Sequence, residues 1–444
     1  MAAERVVVVG AGFAGLAAAR ELAGRPVPVT VVDRHNYHLF QPLLYQVATA
    51  GLEPQGIAKS VRGMFHGVGN ISFRLANATG VDWDRQKLLV DSGGPLAFDH
   101  LIIAAGATSD TLGIEGVREH TYPLKTLDDA VNLRDHILTT FERADVDPSI
   151  VDEGALTFVV VGGGPTGVEL CGAFVELFDH VLARDFPGVD VGRARIVLVE
   201  ALPHLLDGYS SRLQDYARSA LIDRGVEVLV DTPLEDVSAD RVRLAGGAEI
   251  ATRTVVWAAG VRAQTLADRV GLEQTDGGRI VVGHDLSVPG RSNVYAVGDI
   301  AGATDPQGEL YPQLAPVAQQ QARHVVRQIA LRRRGRPTET FRYRDKGTMA
   351  TVGRDAAVAQ FPGGVQLTGV PAWLAWLGLH LILLIGFRNR AVVLVNWLYN
   401  YTTYDRAARL IIRGETPPRR TAGEEADRAA ALEDETSADP SATS

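Results

Sequence analysis

Two glycine clusters carry the most chemistry in the chain. Gly10-Ala11-Gly12-Phe13-Ala14-Gly15 follows the apolar run Val6–Val9, and Gly162-Gly163-Gly164-Pro165-Thr166-Gly167 follows Leu156–Val161. A Gly-x-Gly-x-x-Gly turn between strand and helix lets main-chain amides approach a pyrophosphate seated on the helix N-terminus. After the first cluster, the run Val29–Val32 ends at Asp33, 23 residues beyond Gly10. About 20 residues is the spacing at which a strand-ending carboxylate meets a ribose hydroxyl. Arg34, next to it, is a further candidate contact. After the second cluster, Arg195–Val199 ends at Glu200, 38 residues beyond Gly162. That longer interval fits an extended helix reaching through Phe178–Phe186. Ala201-Leu202-Pro203-His204 supplies no lysine or arginine for a 2′-phosphate, so this second site should prefer NADH to NADPH.

The elements that must position these loops recur in order. The segments Leu101–Gly106 and Val255–Gly260 are strand-like runs ending in Ala-Ala-Gly, placing Ala105, Gly106, Ala259 and Gly260 near the nucleotides. Val294–Val297 leads into Gly298-Asp299. In this arrangement the chain resembles the two-dinucleotide-binding flavoproteins, which implies FAD in the first module and NADH in the second. The resemblance assigns Gly10, Gly12, Gly15 and Asp299 to FAD, with Asp299 on its ribityl chain, and Gly162, Gly164, Gly167 and Glu200 to NADH. The expected fold class is α/β, with two Rossmann-like dinucleotide-binding domains and a C-terminal membrane-association region of amphipathic helices.

Composition narrows the chemistry. The 444 residues contain one cysteine, Cys171, which removes disulfide frameworks, cysteine-ligated zinc, iron–sulfur clusters and any mechanism using a redox cysteine pair. Cys171 itself is expected as a small packed side chain, and no metal-ligating cluster is visible. Hydrophobic content of 46% with 22% charge is ordinary for a folded chain. The acidic balance, 53 acids against 44 bases, argues against nucleic acid as a partner. Of the net charge of −9, the last 31 residues contribute −5, and their Ala/Glu/Asp/Ser/Pro-rich composition reads as a disordered tail. The N-terminus carries no export signal.

From Val370 to Phe387 the only ionisable side chain is His380. Arg388 and Arg390 follow, then an apolar stretch through Trp397 and Tyr399, and finally Arg406, Arg409 and Arg413. Tryptophans, tyrosines and flanking arginines settle at a headgroup boundary, so residues 371–413 are the expected contact with a lipid surface. The segment is at the borderline for spanning.

With Asn36–Tyr45, Gly164–Glu169 and Lys346–Arg354 also in place, the sequence resembles the type II NADH dehydrogenases, single-subunit NADH:quinone oxidoreductases. The resemblance spans roughly residues 5–413. It implies a non-proton-pumping respiratory enzyme on the cytoplasmic face of the membrane, peripheral and homodimeric, reducing menaquinone or ubiquinone. The implied organisation is an FAD-binding domain over 1–120 and 286–345, a connecting helix and linker over 121–154 and an NADH-binding domain over 155–285. Residues 346–413 are the membrane-association region and 414–444 the tail. Glu169 matches the family's proton-handling carboxylate, and His38 and Gln41 are expected flavin-pocket liners. The quinone-side pattern Ala-Gln-x-x-x-Gln is best matched at Ala315–Gln320, which makes Gln320 the matching glutamine and puts Pro316 where the other is expected; a shifted match on Ala318-Gln319, less favoured, puts Arg323 at the second position. The alternative is a soluble NAD(P)H-dependent FAD reductase of a ferredoxin-like protein, which would need no apolar extension.

Overall fold

Each β-branched run ahead of a glycine loop is the central strand of a parallel sheet. Val6–Val9 and Thr157–Val161 are buried at every position, as strands covered on both faces must be. The computed structural model describes residues 4–403, 406 and 408–412. Its first sheet has the order Ser287–Val288, Arg291–Ala296, His100–Ile103, Val6–Val9, Val29–Asp33, Ile71–Leu75. Val6 pairs with Val29 on one side and His100 on the other. The strand before Gly298-Asp299 returns to pair with Leu101–Ile103, so a segment nearly 200 residues downstream completes the first module.

The second sheet has the order Tyr122–Pro123, Thr254–Trp257, Thr157–Val161, Arg195–Val199, Glu227–Leu229, all parallel. Part of the stretch expected as a connector is therefore an edge strand of this sheet. The helix Leu127–Val146 that follows starts with a capping box, Thr126 and Asp129 each satisfying the other's main-chain amide. The wide spacing before Glu200 has the expected cause. Helix Pro165–Leu177 continues through a π-type turn, Phe178–Leu182, to Asp185 before the chain returns to the sheet.

The two modules are tied by the residues just past their Ala-Ala-Gly runs. Ala107–Ser109 pairs antiparallel with Val261–Ala263, and the Trp257 indole donates to the Asp110 carbonyl at 2.8 Å. A third unit follows the first module's last helix, Ala315–Arg333. Its strands Thr348–Gly353, Ala356–Gln360 and Gln366–Thr368 form an antiparallel sheet that lies on helix Pro165–Leu177. At the contact a Cβ on Gly172 would meet the main chain of Val352 and sit 2.8 Å from the Gly353 nitrogen. No side chain fits there.

The apolar segment 370–387 is not one helix. Gly369–Leu383 ends, the chain turns through Gly386 at φ +94°, and a second helix runs Phe387–Thr403. Only glycine takes that backbone conformation without strain. Among the described residues, no helix is long and apolar enough to cross a membrane. Arg413 and the expected tail 414–444 lie outside the described residues.

The Gly172 contact sets a test of the fold. Gly172→Ala is expected to cost about 2 kcal/mol by overpacking, read as a lower midpoint in urea unfolding. Ala173→Gly, one position along, should cost less, because it removes a methyl group without forcing the strand away.

Candidate active site

The two glycine loops are near copies. Gly10 and Gly162 have φ +103° and +112°, and Gly12 and Gly164 cap their helices with φ −70° and −71°. A Cβ on Gly15 would strike the Gly10 carbonyl, and one on Gly167 the Gly162 carbonyl, so these positions seat the helix against the turn. A Cβ on Gly12 or Gly164 would meet nothing within 4 Å. That open space in front of a helix N-terminus is the cradle a pyrophosphate fills.

The strand-ending acids are used alike. Asp33 accepts from the amides of Ala11 at 2.6 Å and His35 at 2.7 Å. Glu200 accepts from Gly163 at 2.5 Å and Leu202 at 2.8 Å. Each carboxylate thus holds its loop and the start of its own turn, beside the cradle where a ribose would lie. Arg34 is exposed next to Asp33. Ala105-Gly106 and Ala259-Gly260 leave their strands toward the cradles, with Gly106 and Gly260 at φ +76° and +63°.

Asp299 follows the returning strand, half-buried, and faces the Lys125 ammonium at 3.9 Å. Burial raises the Asp299 pKa, while Lys125 and Arg279 oppose the rise; burial lowers that of Lys125. Sequence reasoning missed Lys125, since an isolated lysine ahead of a capping box carries no motif. His38 is buried, its Nδ1 on the Ala11 carbonyl at 2.8 Å and its Nε2 without a partner among the described residues. Desolvation pushes its pKa down to about 4, so it is a neutral prop beneath the first loop.

Glu169 sits in the second turn of helix Pro165–Leu177 and is 8% exposed. Its Oε1 accepts from the Thr351 amide at 3.3 Å. The buried Trp376 indole lies against the same carboxyl without reaching full hydrogen-bond geometry. Desolvation raises its pKa to about 8, with Thr351 and Trp376 holding it lower than burial alone would. The acid is therefore mostly protonated at neutral pH. Three units meet at this carboxyl: the second module's helix, the C-terminal sheet and the helix Gly369–Leu383. Nearby, Trp397 donates to Gln46 at 2.8 Å and Gln46 to the Tyr45 hydroxyl at 3.0 Å. Trp376 stacks on His380 with centroids 4.0 Å apart.

Gln320 is held by main chain. Its amide donates to the Arg344 carbonyl at 2.9 Å and accepts from the Arg344 amide at 3.0 Å. Both ends are occupied by main chain, so Gln320 anchors the segment leading to the C-terminal sheet. The neighbouring Gln321, fully buried, accepts from Gly298 at 2.7 Å and supports the turn carrying Asp299. Pro316 stands in the first turn of its helix, where a missing N–H costs nothing. Cys171 is completely buried, and desolvation raises its thiol pKa. Among the described residues, no group of three or more His, Cys, Asp or Glu is placed to hold a metal ion.

The terminal helices leave an apolar face exposed. Trp376, Val393 and Trp397 point into the protein, whereas Leu374, Ile382, Phe387, Val395 and Leu398 are turned to solvent, Phe387 at 86% exposure. Arg390 caps the first helix by donating to the Ile382 and Leu384 carbonyls.

Residues 4–322 match the family described as pyridine nucleotide-disulphide oxidoreductase, and residues 346–403 match the NDH2 C-terminal domain. The type II NADH:quinone oxidoreductase Ndh of Mycobacterium tuberculosis is 37% identical over 418 residues, covering 90% of this chain and 89% of that one. The type II NADH:quinone oxidoreductase of Staphylococcus aureus is 31% identical over 375 residues, covering 81% and 90%. The fold is similar to that of NDH2 from Plasmodium falciparum, solved in complex with NADH, with a TM-score of 0.83 at 20% identity over 92% of this chain and 100% of that one.

Two expected outcomes follow from this geometry. The folded protein binds a proton at Glu169 up to about pH 8, whereas the unfolded chain releases it near the ordinary value of 4.5. Stability from this group is therefore full below pH 4.5 and is lost as pH rises toward 8. Glu169→Gln should raise the thermal midpoint relative to the parent increasingly between pH 5 and pH 8, with no further gain above. Glu200→Gln combined with Ala201→Arg should narrow the preference for NADH over NADPH at least tenfold, by exchanging a repelling carboxylate for a phosphate partner. Rapid-mixing titration with each nucleotide measures it.

Proposed function

The chain belongs to the pyridine nucleotide-disulphide oxidoreductase family and, within it, to the type II NADH:quinone oxidoreductases, and on that premise we propose how its residues divide the reaction NADH + H⁺ + quinone → NAD⁺ + quinol. The reaction is non-proton-pumping. Bound FAD supplies the hydride acceptor and the two-electron donor. Gly10, Gly12 and Gly15 seat its pyrophosphate, Asp33 its ribose, and Asp299 its ribityl chain, with Arg34, Ala105 and Gly106 bordering it. Gly162, Gly164 and Gly167 seat the NADH pyrophosphate, Glu200 holds the adenosine ribose, and Ala259-Gly260 borders the nicotinamide end. These are the residues whose space and polarity fit two dinucleotides.

One observation carries the catalytic assignment: Glu169 is a buried acid, neutral at working pH, at the junction of the nucleotide-binding helix and the C-terminal unit. A general acid is most effective with a pKa near the operating pH. The hydride delivers two electrons and one proton. Glu169 gives the second proton from its carboxyl oxygen to a quinone oxygen and regains one from solvent. Either quinone class, menaquinone or ubiquinone, presents the same two carbonyl oxygens.

The exposed apolar side of the terminal helices is the surface that meets lipid, and the exposed Arg388 and Arg390 beside it favour anionic headgroups. Because NADH is a cytosolic reductant, this surface supports a peripheral position on the cytoplasmic face. The ferredoxin-reductase reading is set aside, because that apolar face and the match over residues 346–403 have no part in it.

In anaerobic rapid mixing, NADH should bleach the flavin of Glu169→Gln at the parental rate, while a menaquinone or ubiquinone analogue reoxidises it at least tenfold more slowly, the scale of general acid catalysis. Parental reoxidation would sink the role of Glu169. For the lipid surface, Phe387→Asp with Leu398→Asp should abolish cosedimentation with phosphatidylglycerol vesicles while NADH still bleaches the flavin.

A further inference from the structure

Glu169 is buried, yet in the reading above it must be recharged once per quinol. The cavity it lines offers a route. Glu169, Ala173 and Glu176 share one face of helix Pro165–Leu177, and all three border a cavity of about 50 Å³. A water needs roughly 10–15 Å³ of such space and two or more polar partners. Several waters therefore fit in a cavity lined by two acids whose helix positions are about 10 Å apart along the axis.

Both ends of the cavity are polar. At the inner end, the Tyr45 hydroxyl lies 3.3 Å from that of Thr351, beside Glu169. At the outer end, Glu176 accepts from the Arg354 amide at 2.7 Å and from the Arg406 guanidinium at 3.1 Å. Arg406 is buried and also donates to the Thr49 carbonyl at 2.6 Å. The charged and titratable groups facing the passage are thus Tyr45, Glu176, Arg354, Tyr401 and Arg406, each from a different element except Glu176, which shares the helix of Glu169. Glu176 keeps 23% of its side chain exposed, so it joins the cavity to solvent. No nucleotide contact assigned above uses any of these groups.

We propose that Glu176, fixed by Arg354 and Arg406, is the outer acid through which solvent protons pass along this cavity to Glu169. The proposal rests on the role of Glu169 given above. The Glu176 carboxylate takes a proton from hydronium, cavity waters carry it inward, and the Glu169 carboxylate regains the O–H that it gave to the quinone oxygen. One proton enters per quinol formed, and no electrons move along this path. Glu176 acts only through Glu169 and touches no substrate.

The test uses the flavin-loaded full chain. Glu176→Gln keeps the side-chain shape but cannot shuttle a proton. Flavin bleaching by NADH should proceed at the parental rate, whereas kcat with a quinone analogue should fall about tenfold at unchanged KM. The solvent deuterium isotope effect should rise, acetate or imidazole should restore turnover, and Glu176→Asp should retain most of it. Ala173→Val, which narrows the passage between two intact acids, should give the same signature, and it decides alone if Glu176→Gln does not fold. A second readout avoids turnover. The infrared C=O band lost in Glu169→Gln should exchange with D₂O more slowly in Glu176→Gln than in the parent. Parental kcat, isotope effect and exchange rate in these variants would overturn the proposal while leaving Glu169 in its role, provided Glu169→Gln itself is slow. Parental turnover in Glu169→Gln would instead overturn the reading beneath it.

Discussion

The closeness of helix Pro165–Leu177 to strand Thr348–Gly353 governs the rest of the site. Gly172 permits it, since any side chain there would push the strand away. This approach brings the Thr351 amide within reach of Glu169, and it lays the C-terminal sheet under the helices that cover the carboxyl with Trp376. Without it Glu169 would be a first-turns glutamate in water with an ordinary pKa. The contact also links the two ends of the function, because the helix that begins at the NADH cradle ends at the elements bearing the exposed apolar face.

The nucleotide modules show a second economy of construction. Asp33 and Glu200 each pin a main-chain amide of their own glycine loop, so the turn is held open before any ligand arrives. Preorganisation of this kind spares a ligand the cost of ordering its own site. The antiparallel ribbon Ala107–Ser109 with Val261–Ala263 then fixes one module against the other. His38 supports the first loop from beneath as a neutral imidazole, and Lys125 places a cation opposite Asp299. These supports set the positions at which cofactor and substrate can meet.

Adjacent side chains of the same type hold different parts of the structure. Gln320 and Gln321 are adjacent, yet one clamps Arg344 and the other supports the Gly298 turn. A sequence motif records residue type and spacing, not which main-chain groups each amide will find. The apolar run 370–387 shows the same limit. Hydropathy reported its composition, whereas the chain leaves the first helix after Leu383 and turns at Gly386 into a second that starts at Phe387.

The linear sequence by itself determined the two glycine loops, their strand-ending acids, the returning Gly-Asp strand and the absence of a cysteine pair. These features are local, with the strand, turn and helix that hold each loop lying within a few dozen residues. It also exposed the late arrival of Glu200, since an amphipathic continuation of the helix was visible in the chain. Only the tertiary structure decided what depends on distant partners: Lys125 beside Asp299, Thr351 and Trp376 around Glu169, and Arg406 reaching back to Glu176. Burial and its effect on a pKa are sums over neighbours remote in sequence. The identity of Glu169 was therefore legible in the chain, and its protonation at neutral pH was not.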